Sequence, residues 1–486
     1  MADDLGRHGY GAVTESDLQA LSAMTDAAGV ILPADDRFAP HLQEPRDKLQ
    51  GRGALLLRPR TTAEVAAMIA HCNARRLPVI PISGGTGLVG GQVFADMGNL
   101  PDPVLISLAR MDRIRDIDPR DSVLVAEAGV TLEAAQNAAA EVGRLFPLSM
   151  ASQGSCCIGG NLATNAGGVQ VLRYGNARDL VLGVEAVLAD GSVHHGLKRL
   201  RKDNMGYDLR GLLVGSEGTL GIITAASLKL FTQPGERVTA MLAVPSPSAA
   251  IDLLGAMRAR LGDGVTAFEL IAAQGPAFIA AHFPDWRDPL GGMPPWRVLV
   301  EATGPAEGGL TARAEAALAE AMEAGLAEDG VVATSEAQAA ALWWLRETIP
   351  EANRKTGALV SHDTSVPLSA IPRFIEEASA AVAAVAPRLR INCFGHVGDG
   401  NLHYNLFPPA GEGREAWRAP ARAASEAVHA VALSLGGSIA AEHGIGRIKR
   451  DALAATLDPA KLAAMRAIKT ALDPHWILNP GAVLAP

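Results

Sequence analysis

Two histidines, His396 and His403, flank an Asp399-Gly400 pair in the stretch INCFGHVGDGNLHYNLF, residues 391–407. Asp-Gly between two apolar runs is a strong signal for a two-residue hairpin turn. Centring the turn there sets Gly398 opposite Asn401, Val397 opposite Leu402 and His396 opposite His403. Directly opposed residues share a sheet face with Cβ atoms about 4.5–5.5 Å apart. Two imidazoles so placed can both reach one metal ion at about 2.0–2.1 Å. The same count brings Asn405 onto that face, opposite Phe394. A metal site needs more than two ligands, so the pair alone is equally consistent with two histidines on a solvated sheet.

Further candidates lie in GGSIAAEHGIGRIKRD, residues 436–451, where Glu442 and His443 sit among glycines. A carboxylate would complete a His-His-Glu set and leave positions open for a substrate. Neighbouring residues on a regular strand point oppositely. Glu442 and His443 can therefore serve one site only on an irregular backbone; otherwise Glu442 is a surface acid. Arg346, in LWWLRETIPEANRKTG, has the helical setting of a surface ion pair with a neighbouring Glu.

A different chemistry is written in PVIPISGGTGLVGG, residues 78–91, which contains the pattern G-x-G-x-x-G from Gly85 to Gly90. A dinucleotide fingerprint must open a helix and meet an acid about 20 positions later. The following chain, GQVFADMGNLPDPVLISL, is too rich in Gly and Pro for that helix. A triphosphate loop needs Gly-Lys, which is missing. Consecutive glycines still let backbone N–H groups converge without obstruction by Cβ atoms, which makes an anion cradle. Two more tracts of small residues, Phe146–Gly191 and Leu200–Thr224, suggest a long polyphosphorylated cofactor laid across several loops.

The motifs PVIPISGGTGLVGG, GSCCIGGNLATNAGG, RYGNARDLVLGVEAVLADG, RKDNMGYDL and GSEGTLGIIT resemble the FAD-binding half of the vanillyl-alcohol oxidase/PCMH flavoprotein superfamily. The branch is that of the D-2-hydroxyglutarate and D-lactate dehydrogenases, and the likeness covers nearly all of the chain after residue 50. The resemblance implies FAD with its diphosphate on the loop of Ser83, Gly84, Gly85, Thr86, Gly87 and Leu88, with Pro81 also at the cofactor. It implies further cofactor contacts from Gly154, Ser155, Gly159, Gly160, Asn161, Thr164, Asn165 and Gly167, and from Gly221, Ile222 and Asn479. Members that attach FAD covalently often carry His where this chain has Thr86, so non-covalent FAD is expected. A thioether from Cys156 or Cys157 is the disfavoured alternative.

The resemblance also assigns roles to the first set of residues. His396, His403 and Glu442 match ligands of a divalent metal, usually zinc, and His443 matches the general base. Arg346 matches an arginine that grips a substrate carboxylate, and Asn405 is expected to hold the C1 carboxylate. The hydroxyglutarate branch usually has a hydroxyl residue and a lysine where this chain has Pro350 and Ser361. Two of three grips on a distal carboxylate are thus missing, and dicarboxylates are expected to be poor substrates. The implied reaction is oxidation of a D-2-hydroxy acid to the 2-keto acid. Its electrons would pass to an electron-transfer flavoprotein, a quinone or a cytochrome. Two rivals stay open: a flavin-fold enzyme of phenol oxidation or ether-lipid synthesis, and a non-catalytic FAD-binding electron-transfer subunit.

The elements that must position these residues follow from apolar spacing. A helical segment is expected over residues 1–50. A PCMH-type FAD-binding domain follows over 51–233, where ALLLRPRTTAEVAAMIAHCNARRLPVIPIS reads strand, Thr-capped helix, strand. The turn cluster Gln233–Glu236 opens an α+β, ferredoxin-like substrate and metal domain over 234–486, with a C-terminal helical and loop segment. The bulk figures fit an enzyme of this size. Over 486 residues, 48% are apolar and 20% charged, enough apolar surface for large cores. A net charge of -9 argues against nucleic acid as the main partner, because phosphate binding needs a basic patch. Four cysteines make no disulfide framework. The acidic start lacks the apolar core of a secretory signal, and no apolar run reaches membrane-spanning length. A cytoplasmic protein that is not integral to a membrane is expected; a homodimer is left open.

Overall fold

The run Leu55–Leu57 is apolar at every position, and so is Val104–Ser107 but for its last residue. Strands of this kind must be covered on both faces, which is the position of strands in a layered α/β arrangement. The computed structural model describes residues 9–46, 48–95, 97–98 and 100–486. They form two units that are not contiguous in sequence. Unit 1 comprises the described residues up to Gly167, then Asn176–Thr232 and Glu442–Pro486; unit 2 comprises Gly168–Gly175 and Gln233–Ala441.

In unit 1, strands Val30–Ile31 (β1), Leu55–Leu57 (β2), Val79–Ile82 (β3) and Val104–Ser107 (β4) form a sheet in the order β1-β2-β4-β3. β4 runs parallel to β2 and β3, and the helix Thr62–Arg75 connects β2 to β3. Thr61 caps that helix by accepting from the N–H of Glu64, as expected from sequence. Its buried residues Val65, Met68, Ile69 and Cys72 follow helical spacing and make one apolar stripe. A second, antiparallel sheet contains Ile114–Asp118 (β5), Val123–Glu127 (β6), Val181–Val187 (β8), Val193–Gly196 (β9) and Ile222–Lys229 (β10), in the order β5-β6-β10-β8-β9. Arg144–Leu145 (β7) and Phe231–Thr232 (β11) add a short ribbon.

The sequence places no boundary after the one near Gln233, whereas the last 45 residues, Glu442–Pro486, pack with the N-terminal half. The reason is an edge. β3 ends its sheet, and its free side is covered by residues 477–479: Val79 N–H donates to Ile477 O, and Asn479 N–H to Val79 O, both at 2.8 Å. An uncovered edge would leave those backbone groups unpaired.

Unit 2 is built on Glu236–Val244 (β12), Val265–Ala272 (β13), Trp296–Gly304 (β14), Asp329–Val332 (β15), Val360–Ser361 (β16), Thr364–Ser365 (β17), Arg390–Gly395 (β18) and Asn401–Phe407 (β19). The order is β15-β12-β14-β13-β18-β19-β16, with β17 also on β19. Side chains alternate between two apolar layers. Val238, Ala240, Leu242, Leu270, Cys393, Leu402, Tyr404 and Leu406 point into one. Met241, Ile271, Leu299, Phe394 and Phe407 point into the other, under the helices Gln274–His282 and Glu336–Thr356. The alternation of two therefore puts Glu269, Asn392, Phe394, His403 and Asn405 on the face that the second helix covers. No helix among the described residues is long and apolar enough to cross a membrane.

Candidate active site

At that face of unit 2, five side chains close a circuit. His396 and His403 have ring centroids 5.5 Å apart at 81°. The His403 ring lies 5.0 Å from Phe394, and the Arg346 guanidinium stands over the same Phe394 ring at 4.7 Å. Arg346 Nε donates to Glu269 Oε2 at 2.6 Å, and Glu269 Oε1 meets His396 Nδ1 at 2.7 Å. Burial alone would raise the Glu269 carboxyl. The charges of His396 and Arg346 outweigh it and hold the carboxyl well below the usual carboxylate range.

The histidines meet, but not in the register read from sequence. His403 pairs with Phe394, Tyr404 with Cys393 and Asn405 with Asn392. His396 has left the ladder and precedes a short 3₁₀ turn, Val397–Asp399; the N–H groups of Asp399 in the turn and of Asn401 at the start of β19 both donate to His396 O. The turn is longer than the Asp-Gly signal implied, because buried Val397 and Gly398 pack inward instead of pairing across the strands. His396 reaches His403 from the loop, two positions beyond its partner's opposite number.

Arg346 is not a surface ion pair; it is 5% exposed and tied to Glu269. Asn405 is buried, and its Oδ1 finds no hydrogen-bond partner among the described residues. Ser361, on β16, pairs directly with Asn405. Pro350 lies within the helix one turn after Arg346, where its ring nitrogen cannot donate to the Arg346 carbonyl. Glu442 and His443 follow immediately after unit 2, in a segment without helix or strand, as an irregular backbone required.

The metal fit can be judged inside unit 2. A histidine that ligates through Nε2 almost always gives its Nδ1–H to a carboxylate or carbonyl. His396 has that arrangement, with Glu269 as the acceptor. The residues present therefore suit a divalent ion.

Unit 1 holds the expected cofactor cradle. A Cβ on Gly84 would lie 2.2 Å from Ser155 O and 2.9 Å from Cys156 Cα, so the two predicted cofactor loops touch backbone to backbone. A Cβ on Gly160 would lie 2.7 Å from Ser83 Oγ. Gly85 has φ +78°, which favours glycine, and no neighbour lies within 4 Å of a Cβ on Gly87. Ser83 Oγ is buried without a hydrogen-bond partner among the described residues. Bare glycine backbone beside an orphaned hydroxyl suits a phosphate held by main-chain donors.

Other predicted cofactor residues serve the protein itself. Asn165 Oδ1 accepts from the N–H of Arg178, and Thr164 Oγ1 donates to Gly160 O. Asn161 Nδ2 contacts Cys156 Sγ, and Ile222 lies in the apolar core. Gly221 is packed against Leu213. Gly154 and Gly167 lie in the same loops, and all four cysteines are buried free thiols. Asn479 donates to Gly91 O and Glu217 O, and accepts from Arg447, whose Nη1 also holds Gly90 O. Its side chain thus staples the glycine loop to the C-terminus.

Three important residues escaped the sequence reading: Glu269, Glu217 and Arg447. Glu269 had a visible signal, a lone acid inside the apolar strand VTAFELIA. A charge in such a strand must find a partner.

Comparisons with known proteins agree with this anatomy. Residues 53–196 match the family described as FAD binding domain, and residues 233–483 match FAD linked oxidases, C-terminal domain. The chain is 37% identical over 478 residues to a mitochondrial D-2-hydroxyglutarate dehydrogenase of Bos taurus, covering 98% of this chain and 84% of that protein. It is 39% identical over 423 residues to a D-2-hydroxyglutarate dehydrogenase of Xanthomonas citri pv. viticola, covering 87% of each. Among solved structures, p-cresol methylhydroxylase matches with a TM-score of 0.77 at 17% identity, over 97% of this chain and 98% of that one. An alkyldihydroxyacetonephosphate synthase gives a TM-score of 0.73 at 17% identity, over 97% and 87%. The last two share the fold.

Proposed function

The chain belongs to the FAD-linked oxidase family, among proteins named D-2-hydroxyglutarate dehydrogenase, and from that premise we propose how it works. It is an FAD-dependent enzyme that oxidises a D-2-hydroxy acid to the 2-keto acid. Ser83–Leu88 and Gly154–Gly160 would hold FAD, which would supply a hydride acceptor for C2. With Thr86 in place of a histidine, the attachment is non-covalent. A divalent metal, zinc in our reading, would be held by His396, His403 and Glu442 and would supply Lewis acidity toward the C2 hydroxyl and C1 carboxylate.

One observation carries the metal reading: the His396 ring, reaching in from the loop, lies 5.5 Å from that of His403, and its Nδ1 is held by the Glu269 carboxylate. Chain continuity supports Glu442 as third ligand. Thr364 pairs with Leu402, the residue before His403. Ser438 exchanges backbone hydrogen bonds with Ser365, and Ala441 N–H donates to Asp363 O. The segment ending at Ala441 thus runs beside the strand that borders His403, and Glu442 is the next residue. His443 takes the hydroxyl proton, a task suited to an imidazole that titrates near neutral pH. Asn405 turns its amide toward the C1 carboxylate, and Arg346 meets the distal end of the substrate.

The preferred substrate is a D-2-hydroxy monocarboxylate. Glu269 offsets the Arg346 charge, and Pro350 and Ser361 offer no cation to a second carboxylate. Electrons leave to an external acceptor of the electron-transfer flavoprotein, quinone or cytochrome class. Four buried free thiols suit a cytoplasmic location. An anaerobic screen of flavin bleaching by D- and L-hydroxy acids, with metal content measured on the same sample, tests the reading. Bleaching by phenols, or by no hydroxy acid at all, overturns it.

A further inference from the structure

We propose that Glu269 is the positioning residue that aims both ends of the substrate site, fixing His396 for its metal and Arg346 for the distal group. The inference rests on the metal reading above and adds a residue to it. Glu269 is wholly buried on β13, the strand beside β18. Its two oxygens go to two elements: Oε1 to His396 in the loop after β18, Oε2 to Arg346 on the helix Glu336–Thr356.

The atoms chosen on each partner matter. The bond to His396 uses Nδ1, which fixes the ring orientation and leaves Nε2 as the ligating atom. The bond to Arg346 uses Nε, the one nitrogen on the stem side of the guanidinium. Among the described residues Nη1 and Nη2 have no hydrogen-bond partner, so the terminal fork is kept for another group, and Phe394 supports its flat face at 4.7 Å. A merely structural ion pair has no need of this division; a two-pronged Arg–carboxylate bond would be stronger. With both groups referred to one carboxylate on the central sheet, Glu269 sets the spacing between metal and distal grip, and hence the substrate length the site accepts.

Glutamine cannot substitute, because both partners donate and an amide offers one acceptor and one donor. The test uses the full-length FAD-loaded protein, stripped of metal and titrated with zinc against a chromophoric chelator. Wild type must bind zinc and His396→Ala must lose it; a wild type that binds none sinks the metal reading and the His396 half of this proposal with it. Given that binding, Glu269→Gln should weaken zinc by about 10–100-fold, the usual cost of losing such a support, with FAD content unchanged. Its ratio of kcat/KM between D-lactate and longer D-2-hydroxy acids should also flatten. Zinc affinity within twofold of wild type overturns the proposal. Should Glu269→Gln not fold, ¹⁵N-histidine spectra of the zinc-loaded wild type decide. The signal missing in His396→Ala must report protonated Nδ1, and protonated Nε2 refutes the assignment.

Discussion

The Glu217 carboxylate accepts the backbone N–H groups of Ile445 at 2.7 Å and Gly446 at 2.8 Å, just beyond His443. Burial raises this carboxyl, and the two N–H donors oppose the rise. Glu217 belongs to the GSEG loop, so the segment carrying the proposed base is fastened to a glycine motif of the flavin half. Glu217→Ala leaves the buried Gly446 donor unpaired, at about 1–3 kcal/mol, and the half-buried Ile445 donor as well. Stopped-flow flavin reduction should slow more than substrate binding weakens; an unchanged reduction rate removes this link between the GSEG loop and the base.

The cradle predicts a yellow protein from which acid or heat releases all FAD. Flavin that stays with the chain in a denaturing gel contradicts the non-covalent reading. Gly84→Ala should lower FAD occupancy sharply, since its Cβ would lie 2.2 Å from Ser155 O. Near-full occupancy, read from the visible to ultraviolet absorbance ratio, would place the cofactor elsewhere.

Metal removal should separate from flavin loss. His396→Ala or His403→Ala should abolish turnover with FAD retained, because unit 1 holds the cradle and unit 2 the histidines. A chelator should inactivate wild type, and zinc, cobalt or manganese should restore it. Full activity in a demonstrably metal-free sample ends the Lewis-acid role.

Base and distal grip should give opposite kinetic signatures. His443→Ala should reduce the rate of flavin reduction by about 10²–10⁴-fold, the usual cost of losing a general base. Arg346→Met should spare D-lactate and weaken any dicarboxylate by about 1.5–3 kcal/mol, the value of a charged hydrogen bond. A wild-type kcat/KM for D-2-hydroxyglutarate well above that for D-lactate and its larger monocarboxylate analogues would reverse the substrate preference.

Away from the site, Asp17 should govern part of the acid stability. Burial would raise its carboxyl, but hydrogen bonds from Thr14, Arg75 and His71 prevail and hold it well below the usual range. A depressed carboxyl stabilises fully above its unfolded value of about 3.9, and that contribution fades as pH falls toward the lower folded value. Asp17→Asn should therefore lower Tm by a constant amount from pH 5 to 7, with the gap closing below about pH 4. A gap that persists undiminished into acid excludes this role.

The sequence by itself determined the local chemistry of this protein. Glycines in PVIPISGGTGLVGG announce a backbone cradle because only residues without Cβ allow loops to meet as Gly84 and Ser155 do. The Thr61 cap and the stripe Val65, Met68, Ile69, Cys72 follow from helical spacing alone. The pairing of His396 with His403 was legible as proximity, because both flank a reversal of the chain. What only the tertiary structure decided depends on partners far apart in sequence. The hairpin register slipped because packing of Val397 and Gly398 prevailed over the Asp-Gly turn preference. Residues 477–479 joined β3 because a sheet edge needs backbone partners, whatever their position along the chain. Glu269 gained its meaning only when β13, β18 and the helix Glu336–Thr356 brought an acid, an imidazole and a guanidinium within hydrogen-bond reach. A lone buried charge in a strand foretells that a partner exists, but hydrogen-bond geometry, set by the assembled sheet, decides which partner it is.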